Sequence, residues 1–65
     1  MAVVNGKNDP AAEGKILSDY LKEKGYPDVG VAAEVNRRII DRGSFDEYVI
    51  GRDDVIEIVS FVGGG

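Results

Sequence analysis

Sixty-five residues are enough for one small domain, in which folding removes only about 60% of the unfolded chain's surface from water, and they leave no room for a cleft between domains. A content of 43% hydrophobic and 31% charged residues is foldable and lies outside the weakly hydrophobic, highly charged disordered class. With no cysteine and no histidine, the chain has no disulfide, thiol nucleophile, thiolate or imidazole metal ligand, or imidazole base, which argues against side-chain catalysis and a bound metal. Eight basic against twelve acidic residues leave a net charge of -4, which disfavours phosphate-led nucleic-acid binding and suits either a basic partner surface or ordinary solubility. No apolar run approaches the roughly 18 residues that cross a bilayer, and the first residues lack the pattern of a signal peptide. A cytoplasmic protein is expected, monomeric when free.

In chain order, the apolar start Met1 to Val4 runs into Asn5-Gly6, the dipeptide that best accepts the positive φ angles of a type I′ hairpin. A second strand over Lys7 to Ala12 follows, and Asp9-Pro10 within it confines it to a sheet edge. From Lys15 to Lys24, Ile16, Leu17, Tyr20 and Leu21 make one apolar helical stripe, with Gly25 placed as a left-handed C-cap and Pro27 beyond it. Tyr20 and Tyr26 are read as packing residues. Val31, Ala33 and Val35 alternate with Ala32 and Glu34, and Asn36-Arg37 turns the chain into Arg38-Ile39-Ile40 as a second hairpin. Asp41 to Tyr48 reads as a loop anchored by Phe45 and Tyr48. After a turn at Gly51 to Asp54 comes Val55 to Phe61, rich in the residues that favour strands.

The order of strand, strand, helix and three strands predicts an α+β fold with four to five strands in a mixed sheet and one main helix on one face. It fits a β-grasp, in which the first and last strands lie parallel in the middle of the sheet. Residues 1–61 are expected to form the domain and 62–65 a flexible tail. Alternation places Ile56, Ile58 and Ser60 on one face of the last strand and Val55, Glu57, Val59 and Phe61 on the other. Glu57 marks that second face as open to solvent. Val59 and Phe61 then form an exposed apolar surface beside the tail, and a partner is expected there, on Val59, Phe61, Val62 and Gly63.

The pieces V-V-N-G at Val3 to Gly6, E-G-K-I-L at Glu13 to Leu17, V-A-A-E-V-N-R-R-I-I at Val31 to Ile40 and V-I-E-I-V-S-F-V-G-G-G at Val55 to Gly65 run the length of the chain. Together they resemble the ThiS sulfur carrier proteins of thiamin biosynthesis, relatives of ubiquitin in fold. The resemblance implies that the Gly65 carboxylate is adenylated by a ThiF-type enzyme using ATP and magnesium and then converted to a thiocarboxylate by way of a sulfur donor enzyme. It implies that the sulfur passes to a ThiG-type thiazole synthase, with Gly64 as the second member of the essential pair. The chain is then a protein co-substrate that binds no cofactor of its own, not an enzyme. Asp53-Asp54 stand where the family usually has Gly-Asp, so Asp53 is expected at a positive φ, and Asp9-Pro10 weakens the second strand.

The chemistry agrees with the residues on independent grounds. Coupling a carboxylate to AMP supplies a leaving group that a sulfur nucleophile displaces, and glycines let the backbone pass through a narrow enzyme channel. A chain without cysteine has no thiol to hold transferable sulfur as a persulfide. Ordering each backbone residue costs roughly 1 to 2 kcal/mol, which glycine offsets with no side-chain burial, so Gly63 to Gly65 are expected to order only in a partner's active site. Asp53-Asp54 and Asp46-Glu47 are read as solvated turn charges, Arg37-Arg38 with Arg42 as surface, and Asp19, Glu23 and Glu57 as an acidic face able to steer a basic partner. Three other readings stay open: the small subunit of molybdopterin synthase, a ubiquitin-like modifier conjugated through Gly65, and an interaction module with an incidental tail.

Overall fold

The computed structural model describes residues 1–61. The expected tail, Val62 to Gly65, lies outside the described residues. Five strands form one sheet in the order β2-β1-β5-β3-β4: β1 Val3–Val4, β2 Lys7–Asn8, β3 Val31–Val35, β4 Arg38–Ile40 and β5 Val55–Ser60, with the helix α1 at Leu17–Glu23. The first and last strands are parallel neighbours, Val3 opposite Val55 and Val4 opposite Ile56. On its other side β5 runs antiparallel to β3, from Val31 opposite Ser60 to Val35 opposite Ile56. This is the mixed sheet expected from the order of elements, with β5 at its centre.

One face of the sheet carries the core. Val4, Val31, Ala33, Val35, Ile56 and Ile58 pack with Leu17, Tyr20 and Leu21 of α1, and Phe45 and Ile50 close the cluster from the loop before β5. Phe45 is therefore the buried anchor the loop was read to contain, while Tyr48 is only half-buried.

Three local readings are corrected. The second strand does not extend to Ala12: it ends at Asn8, and Pro10–Ala12 form a 3-10 turn with Pro10 in its first turn. Proline has no N–H for a ladder and its ring fixes φ near the helical value, so the chain coils there instead of extending. The strand is still at the sheet edge, as β2 heads the order.

The helix also begins later than the apolar stripe suggests. Lys15 and Ile16 stay extended, with the Ile50 amide donating to the Lys15 carbonyl at 2.8 Å and Ile16 bridging Val49. Ile16 is consequently exposed. The first helical amides find acceptors in the loop, from Leu17 to the Tyr48 carbonyl at 2.8 Å and from Ser18 to the Phe45 carbonyl at 3.0 Å. These carbonyls stand in for the capping side chain that the helix lacks. The other end follows the sequence: Gly25 has φ 86, its amide bonds the Lys22 carbonyl, and the Tyr26 amide bonds the Leu21 carbonyl at 2.9 Å, the two bonds of a Schellman cap.

Both hairpins turn through residues with positive φ, Asn5 and Gly6 at 50 and 82, Asn36 and Arg37 at 51 and 69, as a type I′ turn requires. Arg37 holds this conformation at a steric cost that glycine avoids. Arg37→Gly is expected to raise stability by about 0.5 to 1 kcal/mol, read as a higher thermal midpoint.

The third correction concerns the turn before β5. Asp53 is not among the residues with positive φ. The turn closes with the Asp54 amide on the Gly51 carbonyl at 3.3 Å, and the Asp54 carboxylate folds back to accept from the Gly51 amide at 2.7 Å. Tyr48 donates its hydroxyl to the same carboxylate, and Asn36 donates at 2.9 Å. Asp54 is therefore a half-buried hub, not a solvated turn charge. Burial alone raises its carboxyl pKa, but the bonds from Tyr48, Gly51 and Asn36 outweigh burial and hold it below the ordinary carboxylate value. In turn, burial and then the Asp54 contact push the Tyr48 hydroxyl up to about 12.

The sign of the resulting pH dependence follows. A carboxyl depressed in the folded state contributes stability in full above its unfolded pKa of about 3.9, and that contribution is lost as the pH falls through the lower folded value. Asp54→Asn is expected to lower the urea midpoint near neutral pH and to make it fall less steeply in acid, as measured by unfolding curves from about pH 6 to about pH 2.

Candidate docking surface and root of the tail

The alternation of β5 decides what it shows to each side. Ile56 and Ile58 point into the core, while Val55, Glu57 and Val59 are exposed on the opposite face. Val59 is 56% and Phe61 67% exposed. The registers extend this open face across the sheet. Ala32 stands opposite Val59 and Glu34 opposite Glu57, Ile39 stands opposite Glu34, and Val3 lies beside Val55. Ile39, 79% exposed, belongs to this face although the sequence reading did not place it there. Carrying the inward alternation of Val31, Ala33 and Val35 across the hairpin would have found it.

Two hairpin asparagines hold β5 in place. The Asn5 amide donates to the Ile56 carbonyl at 2.8 Å, and then its side-chain oxygen accepts from the Ile58 amide at 2.7 Å. A longer β1 would have offered a backbone carbonyl there, so the side chain extends the ladder past the turn. Asn36 acts alike on the β3 side: its amide donates to the Val55 carbonyl at 2.8 Å, and its side-chain oxygen accepts from the Val55 amide at 2.9 Å. Sequence reading saw both residues only as turn formers. At the far end, the Phe61 amide donates to the Gly30 carbonyl at 2.8 Å, so the root of the tail has a set position at the end of the sheet.

Of the predicted partner-binding residues, Val59 lies on this face and Phe61, exposed, follows β5 at the tail root, while Val62 and Gly63 lie outside the described residues, as do Gly64 and Gly65. The expected acidic face is not brought together. Asp19 and Glu23 lie on α1, which packs on the core side of the sheet, whereas Glu57 is on the open side. Arg42 is drawn off to donate to the Asp28 carbonyl and Arg37 sits in the hairpin turn. Tyr20 is buried in the core and Tyr26 packs against it. Tyr20 also donates to Asp9 at 2.6 Å, which lowers the Asp9 carboxyl. Among the described residues no group of three or more acidic side chains is placed to hold a metal ion. No helix among them is long and apolar enough to cross a membrane.

The sequence model of the ThiS family matches residues 2–65. The chain belongs to the ThiS family. A crystal structure of the thiamine biosynthesis protein ThiS from Geobacter metallireducens superposes with a TM-score of 0.76 at 30% identity, over 98% of this chain and 97% of that one. The ThiS fold, a ubiquitin-like β-grasp, is thus shared nearly end to end. Two curated relatives, each named thiazole synthase, come from Magnetococcus marinus, 37% identical over 62 residues, and Paramagnetospirillum magneticum, 32% identical over 63 residues. They align with 95% and 97% of this ThiS-family chain, which spans only 19% of the length of each.

Proposed function

We propose that this ThiS-family chain is a sulfur carrier for thiazole formation in thiamin biosynthesis, and that the Gly65 carboxylate is its working group. A ThiF-type enzyme couples that carboxylate to AMP from ATP with magnesium, releasing pyrophosphate. Sulfide-level sulfur supplied by a donor enzyme attacks the acyl carbon and expels AMP, leaving a thiocarboxylate. A ThiG-type thiazole synthase takes the sulfur, and the carboxylate is regenerated. Gly64 and Gly63 carry the terminus through the enzymes' channels without side chains, and Val59, Phe61 and Val62 make the adjoining contact. The chain itself is a co-substrate and supplies no catalytic side chain.

The observation that carries this reading is a family match that runs to residue 65 and so includes Gly64-Gly65. Relatives named thiazole synthase, in which a ThiS-like stretch is about a fifth of the chain, favour the thiazole pathway over molybdopterin synthesis. The test is the intact mass of the protein after incubation with a ThiF-type enzyme, ATP, magnesium and a sulfur donor. Replacement of one oxygen by sulfur at the C-terminus is expected. A ladder of conjugates to partner lysines, or no change in mass, overturns the proposal.

A further inference from the structure

The Phe61 side chain is largely exposed, so packing does not fix the root of the tail. Among the described residues its amide has one partner, the Gly30 carbonyl at 2.8 Å. Gly30 has φ 72, and glycine prefers no single conformation. The direction of its carbonyl is therefore set by whatever holds the residues on either side. After Gly30, buried Val31 opens β3. Before it, residues 27–30 leave the cap of α1 and border an open cleft of about 370 Å³, lined in part by Leu21, Pro27, Asp28, Val31, Arg42 and Phe45. Val29, within this crossing, is exposed and adds little packing.

Arg42 braces the crossing. Its guanidinium donates to the Asp28 carbonyl, and among the described residues this is the one side-chain hydrogen bond to 27–30. Arginine keeps its charge at every physiological pH, and a charge-assisted bond is roughly twice as strong as a neutral one. The base of the brace is firm. Arg42 begins the 3-10 turn Arg42–Ser44, its carbonyl accepts from the Phe45 amide at 3.2 Å, and the Phe45 side chain is buried in the core. The core is thus joined to the root of the tail through Phe45, Arg42, Asp28 and Gly30.

We propose that Arg42 is a positioning residue for the sulfur-carrying tail: its bond to Asp28 fixes the crossing at 27–30, and with it the Gly30 carbonyl and the direction in which the chain leaves Phe61. The proposal rests on the sulfur-carrier reading, in which Gly65 enters an enzyme's channel. Gly65 is four residues beyond Phe61, and an extended chain gains at most about 3.5 Å per residue, so its carboxylate reaches about 14 Å from the root. So short an arm has little slack to correct a root that points elsewhere. Ordering a loosened root on entry costs backbone entropy, and that cost falls on capture of the tail, not on the chemistry at its carbon.

The test compares the full chain with its Arg42→Ala, Arg42→Lys and Arg38→Ala variants in two measurements. R38A removes the same charge from β4, away from the Asp28 carbonyl. In amide hydrogen exchange of the free protein, R42A is expected to speed exchange of the Phe61 amide at least about tenfold, while the Ile56 and Ile58 amides keep their protection. In adenylation by the ThiF-type enzyme of the same cell, followed as pyrophosphate release, R42A is expected to raise KM for the carrier at least about fivefold with kcat within about twofold. R42K, whose ammonium can also donate to the Asp28 carbonyl, should recover much of both effects, and R38A should stay near the parent.

A Phe61 amide that exchanges at the unfolded rate in the parent overturns the inference, as do equal effects of R38A and R42A. So does a raised KM in R42A with Phe61 still protected, since Arg42 would then act by touching the enzyme. The two readings fail separately. A parent that acquires no sulfur in the mass assay sinks the carrier reading, while exchange at Phe61, which needs no enzyme, still decides the brace. A parent that is thiocarboxylated, with R42A unchanged in both measurements, sinks the positioning role alone.

Discussion

A variant lengthened by one residue beyond Gly65 is expected to acquire no sulfur when incubated with a ThiF-type enzyme, ATP, magnesium and a sulfur donor, while the parent is converted. The added residue turns the Gly65 carboxylate into a peptide carbonyl. An amide nitrogen is a far poorer leaving group than AMP, and the new carboxylate lies one residue further along, so both the reacting carbon and its distance from Phe61 change. The loss should be complete within the detection of intact-mass measurement, at least 10²-fold in rate, the scale of penalty that misplacing a reacting group by about an ångström already brings. Folding should not change, because no residue of the described domain is touched, and a matching thermal midpoint checks this. Undiminished sulfur incorporation in the lengthened variant would show that the carbon of Gly65 is not the site. Replacing Gly64 by a bulky residue tests the channel argument in the same assay, with slowed conversion expected and the carboxylate intact.

The second large effect is on stability. Ile56→Ala is expected to cost about 2 to 5 kcal/mol, because Ile56 is fully buried on the central strand, level with Val4 of β1 and Val35 of β3. A domain of 65 residues has roughly 3 to 10 kcal/mol in total, at 0.05 to 0.15 per residue. The substitution therefore removes much of the folded state's margin, and a urea midpoint close to zero is the expected reading. Val59→Ala, three residues away on the same strand but on the open face, should change stability by no more than about 0.5 kcal/mol, as surface changes usually do, and so leave that midpoint nearly in place. If the two variants behaved alike, the assignment of faces on β5 would be wrong, and the docking surface with it.

That contrast between faces was readable from the residues alone. The alternation of Val55 to Phe61, with Glu57 set among apolar neighbours, placed Ile56 and Ile58 inward, and the observed burial agrees. The two hairpins were equally legible, since Asn-Gly and Asn-Arg stand where the chain needs two successive positive φ values. So was the end of α1, where glycine accepts the left-handed conformation of the cap. These are short-range matters, decided by one side chain's fit to its own backbone or by a period of two or 3.6 residues.

Other features depended on residues far apart in the chain. The start of α1 shifted because carbonyls of Phe45 and Tyr48 cap it and Ile50 holds Lys15 extended, and no periodicity within Lys15 to Lys24 carries that information. Asp54 became a hub because the turn brings Gly51, Tyr48 and Asn36 to its carboxylate. Asp19 and Glu23 were separated from Glu57 because a helix on one face of a sheet shows its polar side away from the other face. Asn5 and Asn36 act as clamps only because β5 comes to lie between the two hairpins. Composition and local pattern thus decided which elements form, which side of each is apolar, and that the chain carries no thiol. The pairing of strands decided that Glu34, Glu57, Val59 and Ile39 share one surface beside the tail, since sheet register joins positions that no local interaction along the chain relates.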